Sequence, residues 1–170
     1  MTSGWRHAAI DQTSNMVTNK QNAYGERLIE LVEASKLELL ELGEPGVSLS
    51  PSPGSWSAKQ VLGHLFDSAT NNHQRFVRAI GSGGLEFPGY DQDRWVAANR
   101  YQDAVWVELV QLWAQFNRFL AQVIGHLPAA ELGTWCTIGD GEAVTLEFLI
   151  EDYIRHTQHH LGQIREVGRT

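Results

Sequence analysis

Four amphipathic helices packed as one all-α bundle is the architecture that this sequence predicts. Apolar residues recur at steps of three and four over four long segments, while strand-like alternation is almost absent. A chain of 170 residues is long enough for one continuous core and short for two. Helices of this number and length bury their apolar stripes most simply against one another.

Residues 1–18 are polar and aperiodic and read as a loosely ordered leader, which leaves 19–170 for the bundle domain. From Asn19 to Leu42, the residues Leu28, Leu31, Val32, Leu39 and Leu40 repeat at helical spacing, and Gly43, Pro45 and Gly46 end the helix. Residues 47–55, rich in Ser, Pro and Gly, form a linker. Ser57 followed by Gln60 is a capping box, in which hydroxyl and amide satisfy orphan backbone donors. The second helix then runs to Ile80 with Val61, Leu62, Leu65, Ala69, Phe76 and Val77 facing inward, and Gly81, Gly83 and Gly84 stop it.

Leu85 to Tyr101 is a long connection with a helical turn expected at Asp93–Ala98. The third helix, Asp103 to Leu127, carries Val105, Leu109, Leu112, Trp113, Phe116, Phe119, Leu120 and Val123, and Pro128 closes it. The aromatic series Trp106, Trp113, Phe116 and Phe119 reads as core. Within 134–144, Gly139-Asp140-Gly141 predicts a hairpin turn rather than a phosphate loop, because no Lys-Ser/Thr follows. Thr145 caps the fourth helix, Glu147 sits near its positive end, and the helix continues to Val167. The long second connection argues against a simple up-down-up-down order.

The net charge of −7 repels nucleic acid phosphates and anionic lipid headgroups. Basic residues such as Arg75, Arg78 and Arg100 are scattered singly. No apolar run approaches the ~18–20 residues that span a bilayer, and Met1 to Lys20 holds no apolar signal region. Cys136 is the only cysteine, so no intrachain disulfide forms. The expectation is a cytoplasmic chain that works on a small molecule, with neither nucleic acid nor membrane as partner.

On the fourth helix, Leu149, Tyr153, His156, His160 and Ile164 follow at steps of three or four, so both histidines lie on the stripe where core residues belong. Residues four apart differ by ~40° around the axis and ~6 Å along it, so two imidazoles reach one point. A neutral imidazole offers a nitrogen lone pair at ~2 Å, which suits Zn, Ni, Fe or Cu. Two ligands rarely suffice, and His64, beside Val61 and Leu65 on the second helix, is the third candidate. An inward histidine is more often a hydrogen-bonded core residue than a ligand, so spacing alone leaves both readings open. Thr157 follows His156 where the His-Glu-x-x-His protease signature has glutamate, which disfavours that chemistry. His159 faces away from the stripe, and His7, His73 and His126 read as surface residues.

The segment Trp56-Ser57-Ala58-Lys59-Gln60-Val61-Leu62-Gly63-His64-Leu65-Phe66-Asp67-Ser68 resembles the second-helix signature of the DinB/YfiT-like superfamily. Its companion, His156-Thr157-Gln158-His159-His160-Leu161-Gly162-Gln163-Ile164, is similar to the closing helix of that superfamily. The resemblance extends over residues 20–167 and implies a four-helix bundle with one divalent transition metal ion, zinc or nickel first, held by His64, His156 and His160. It also implies a homodimer. Members include transferases and isomerases that use bacillithiol, mycothiol or glutathione, and proteins described as metal-dependent hydrolases.

Three neutral histidines leave an ion its full charge and an open position, the pattern of a catalytic site. A water bound there has its pKa lowered towards neutrality, and a thiol ionises more readily still. Both a hydrolase and a thiol transferase follow from these ligands, and with the thiol-using enzymes that the resemblance implies, transfer of a low-molecular-weight thiol to an electrophile is the leading expectation. Metal-dependent hydrolysis of a small amide or ester is the alternative, and a non-catalytic metal-binding stress-response bundle is a third. Asp67, one turn after His64, and Asp152, one turn before His156, are candidates to orient the imidazoles by accepting the second ring N–H, as is Gln163. For both aspartates the plain alternative is a solvated surface charge. Asn71 is a further pocket candidate, and Cys136 reads as a packing residue on a loop.

Overall fold

In the computed structural model, which describes residues 20–168, the helices are α1 (Lys20–Glu41), α2 (Ala58–Ala79), a short α3 (Gln92–Asn99), α4 (Trp106–Gly125) and α5 (Leu146–Val167). The expected leader at 1–18, with His7, lies outside the described residues. The long helices α1, α2, α4 and α5 make the bundle. The α1 helix packs along α4, α4 along α2, α2 along α5, and α5 back against α1. Helices adjacent in the ring are therefore not adjacent in the chain, except for α2 and α4. No described helix is long and apolar enough to cross a membrane.

The start signals act as the residues suggest. Ser57 Oγ accepts from the Gln60 amide at 3.3 Å while Gln60 Oε1 accepts from the Ser57 amide at 3.0 Å, which fixes where α2 begins. Thr145 Oγ1 accepts from the Phe148 amide at 3.2 Å at the start of α5. Asp91 caps α3, the element expected as a single turn. The third long helix begins at Trp106 rather than Asp103, because Tyr101–Asp103 winds as a 3-10 turn.

Leu28, Val32, Leu62, Leu65, Phe76, Trp113, Leu120, Ile150 and Tyr153 are buried in one core. Val77, Val105, Leu112 and Phe119, expected inside, are exposed, as is Leu40 at the margin of α1, while Phe116 is half-buried. A helix presents a stripe little more than 100° wide to its neighbours. On α4 that stripe runs through Trp106, Leu109, Val110, Trp113, Asn117, Leu120 and Ile124, and so passes Leu112 and Phe119 by. Asn117 is the polar member of the stripe. It accepts from the Tyr153 hydroxyl and donates to the Trp113 carbonyl, which satisfies its amide inside the core.

The predicted hairpin is present as β2 (Trp135–Ile138) and β3 (Val144–Thr145), antiparallel, with Gly139 at φ +57° in the turn. Cys136 therefore sits on a strand, as its buried member, rather than on a loop. A third strand, β1 (Leu85–Phe87), was not foreseen. It pairs parallel to β2, Leu85 opposite Cys136, and three residues carry too little alternation to announce a partner so distant in the chain. Thus the long α2–α4 connection is tied down at β1 and again at Tyr101.

The second tie depends on a glycine. A Cβ at Gly63 would lie 2.0 Å from Tyr101 Cδ2, so only glycine lets the ring rest on the α2 backbone. From there the Tyr101 hydroxyl donates to Asp67 Oδ1 at 2.6 Å, and Asn99 Nδ2 donates to the same oxygen at 2.9 Å. Alanine gains about 1 kcal/mol over glycine in a helix interior, but here it must displace a buried ring. We expect Gly63→Ala to be destabilising by about 1–3 kcal/mol net, the scale of overpacking in a core. Urea denaturation checks this, and a variant as stable as the parent contradicts the packing described.

Candidate metal centre

The contact between α2 and α5 brings His64, His156 and His160 together. His64 lies in the buried stripe of α2, while His156 and His160 sit one turn apart on the face of α5 that meets it. Ring centroids are 5.1 Å apart for His64 and His156, 4.9 Å for His64 and His160, and 4.4 Å for His156 and His160. One nitrogen from each ring lies within 4.8 Å of the other two.

This donor set fits a metal ion. Two nitrogens bound to one tetrahedral ion at ~2.0–2.1 Å lie about 3.3 Å apart, and His64 Nε2 and His156 Nε2 are 3.2 Å apart. The His160 ring is oriented by Gln163, whose Oε1 lies 2.7 Å from Nδ1. An amide oxygen only accepts, so Nδ1 carries the proton and Nε2 keeps its lone pair. Burial, then the charges of His156 and His160, pulls His64 down to about 4. Burial, then His160, does the same to His156, with Asp152 opposing. His160 is also lowered, chiefly by burial, against an upward pull from Gln163. All three are thus neutral at neutral pH, the form in which imidazole acts as a ligand.

Of the three residues expected to orient imidazoles, only Gln163 touches one. Asp67 is buried but turned to Tyr101 and Asn99, and burial raises its carboxyl above the usual range. Asp152 is exposed and accepts from Arg155 at 2.7 Å. Nδ1 of His64 and Nδ1 of His156 are buried with no hydrogen-bond partner among the described residues. Asn71 donates to the Asp67 carbonyl at 2.9 Å within α2 and does not line the centre. His159 is exposed, with its Nε2 3.2 Å from Gln163 Nε2. His126 is exposed, and His73 is half-buried beside Phe116 and Phe119.

Around the histidines, Trp56, Ser68, Asn72, Arg75, Tyr90 and Gln92 were not foreseen as site residues. Trp56 covers one side of His64, with ring centroids 5.2 Å apart. A cavity of 190 Å³ beside His64 and His156 is lined by Ser68, Asn72, Arg75, Tyr90, Gln92, Leu149, Asp152 and Tyr153. A second, wider cleft of 420 Å³ includes Trp56, Val61, Gln163 and, again, Gln92. The legible signal was a polar stripe on α2: Ser68, Asn72 and Arg75 follow His64 at steps of four, four and three. Tyr90 and Gln92 come from the connection, where no periodicity marks them.

Comparison with known proteins shows what the chain is similar to. A relative from Halalkalibacterium halodurans named "Putative metal-dependent hydrolase BH0277" is 26% identical over 112 residues, which is 66% of this chain and 65% of that protein. The chain thus spans a little under two thirds of that relative's length. A protein of Oceanobacillus iheyensis with the same description, OB0782, is 22% identical over 143 residues, 84% of this chain and 83% of its own. In structure the chain resembles YfiT from Bacillus subtilis, described as a probable metal-dependent hydrolase with an unusual four-helix bundle topology. The TM-score is 0.78 at 21% identity, covering 98% of this chain and 92% of that one, which shows the shared fold. The family model of the DinB superfamily matches residues 27–164, and the chain belongs to that superfamily.

Proposed function

We propose that this chain is a metal-dependent hydrolase of a small molecule, with one divalent ion held by His64, His156 and His160. The observation that carries this reading is the convergence of three neutral imidazoles from two helices beside a polar cavity. The names of the relatives supply independent support. When bound, the ion supplies Lewis acidity and lowers the pKa of a coordinated water or thiol.

The chain's own residues hold that chemistry in place. Gln163 fixes the tautomer and angle of His160. Trp56 and the packed α2–α5 interface keep His64 buried and neutral. Because the ligands carry no charge, they leave the positive charge of an ion uncompensated, the arrangement of catalytic rather than structural sites.

Thiol transfer is the second reading, and the wider cleft favours it. Hydrolysis needs room for one reactant and water, whereas here the cavity on His64 and His156 shares Gln92 with a second cleft, which reaches the centre through Trp56 and Gln163. The Trp56 side offers the larger space and an aromatic wall for a thiol cosubstrate. The proposal also takes the chain as a cytoplasmic homodimer, supported by the apolar surface that Leu112 and Phe119 leave open on α4; equilibrium sedimentation tests the assembly.

Turnover of a panel of small esters, amides and electrophiles by the zinc- or nickel-loaded protein, with and without thiols, separates the chemistries. We expect turnover in water alone that chelation abolishes and added metal restores. Turnover only with a thiol moves the assignment to the transferase, and silence throughout leaves a non-catalytic metal-binding bundle. In elemental analysis, His156→Ala and His160→Ala should each lose stoichiometric metal while His159→Ala keeps it; the reverse pattern refutes the ligand set. Gln163→Leu should retain the site but weaken metal affinity by about 10–100-fold, the usual effect of removing a ligand's orienting partner. An unchanged dissociation constant would mean that Gln163 serves packing alone.

A further inference from the structure

The 190 Å³ cavity beside His64 and His156 has about the volume of six water molecules. Its charged lining outside the histidines consists of Arg75 and Asp152. Asp152 accepts from Arg155 at 2.7 Å and acts on Arg75 only through space, as a favourable charge. Among the described residues Arg75 has no carboxylate in ion-pair range. Its Nη1 donates to Asn72 Oδ1 at 3.3 Å, and its Nε is buried without an acceptor.

A guanidinium cannot shed its proton to escape burial, so an unpaired one is costly to keep. Here it is also held in place. Phe87 of β1 lies 5.6 Å from the guanidinium carbon, and Asn72 fixes one Nη. Tyr90 stands on the same cavity with its hydroxyl unbonded among the described residues; burial pushes the phenol up to about 12, so it remains a donor. A fixed planar cation and a phenol donor on one small cavity form a receptor for a planar anion. This cation stands on the cavity wall next to the histidines.

We propose that this cavity is a carboxylate pocket: it takes a small molecule bearing a carboxylate, gripped by Arg75 and Tyr90, and so holds the rest of that molecule against the three-histidine centre. The assignment names a substrate class for the function proposed above and rests on that reading for its catalytic meaning. The binding itself does not depend on a metal, which lets the two fail separately.

Calorimetric titration of benzoate and its neutral isostere benzamide into zinc-loaded and chelator-stripped protein tests the pocket. We expect benzoate to bind at least about tenfold more tightly than benzamide in both forms. Arg75→Gln should erase that preference while zinc content and far-UV circular dichroism stay unchanged, and Tyr90→Phe should weaken benzoate by about threefold. Equal benzoate affinity in the Arg75→Gln variant, or no preference for benzoate in the stripped protein, overturns the proposal. If Arg75→Gln loses helicity, Tyr90→Phe and the stripped parent protein decide: unchanged benzoate affinity on removing the hydroxyl, or no preference in the parent, overturns it. Failure to take up zinc with the preference intact would instead defeat the metal reading and leave the pocket standing.

Discussion

The seating of α2 against α5 is the contact on which the site depends. His64 comes from one helix and His156 with His160 from the other, and no local segment could bring all three to a point. Their convergence is set by which helices are neighbours in the ring, with α2 flanked by α4 and α5. It also has a cost. Three positions that could hold leucines hold imidazoles, and two of these leave a buried Nδ1 without a partner among the described residues. An unsatisfied buried polar group costs about 1–3 kcal/mol. A ligand that binds only the folded chain offsets such a cost in proportion to its affinity and concentration.

Around this contact the rest of the chain works as scaffold. Capping at Ser57 and Thr145 sets the first residue of each ligand-bearing helix, hence the rotation at which the histidines emerge. The long connection between α2 and α4 is pinned where Tyr101 lies on Gly63 and reaches Asp67, and where β1 joins the small sheet. Between those two anchors, Tyr90 and Gln92 are delivered to the cavity wall. Asp67 therefore affects the site through the connection rather than through His64. Cys136, buried in β2 with its thiol pushed up by burial, is a packing group.

Much of this was legible in the residues, for identifiable reasons. The bundle, its caps and the hairpin at Gly139 rest on local signals of period, capping and turn chemistry. The histidine pair on α5 was visible as an interruption of an apolar stripe, and His64 as the same interruption on α2. What failed to show were contacts between distant segments. The strand β1 has meaning only beside β2, and Tyr90 and Gln92 only beside α2 and α5. Asp67 looked like a partner of His64 because one helical turn separates them, yet its Oδ1 is turned to Tyr101 and Asn99, and its Oδ2 and His64 Nδ1 do not meet. Phe119 and Leu112 read as core because hydrophobicity was counted without the width of the stripe, and Asn117 was passed over because its buried amide is satisfied by Tyr153. Arg75 looked like one basic residue among scattered ones until the fold placed it on the cavity.

Anomalous diffraction from crystals of the protein loaded with zinc or nickel tests the central claim most directly. The account predicts a single strong peak bonded to one nitrogen each of His64, His156 and His160 at about 2.0–2.1 Å, with the remaining coordination open towards the cavities. A peak at other side chains, or none at these three under saturating metal, would contradict it.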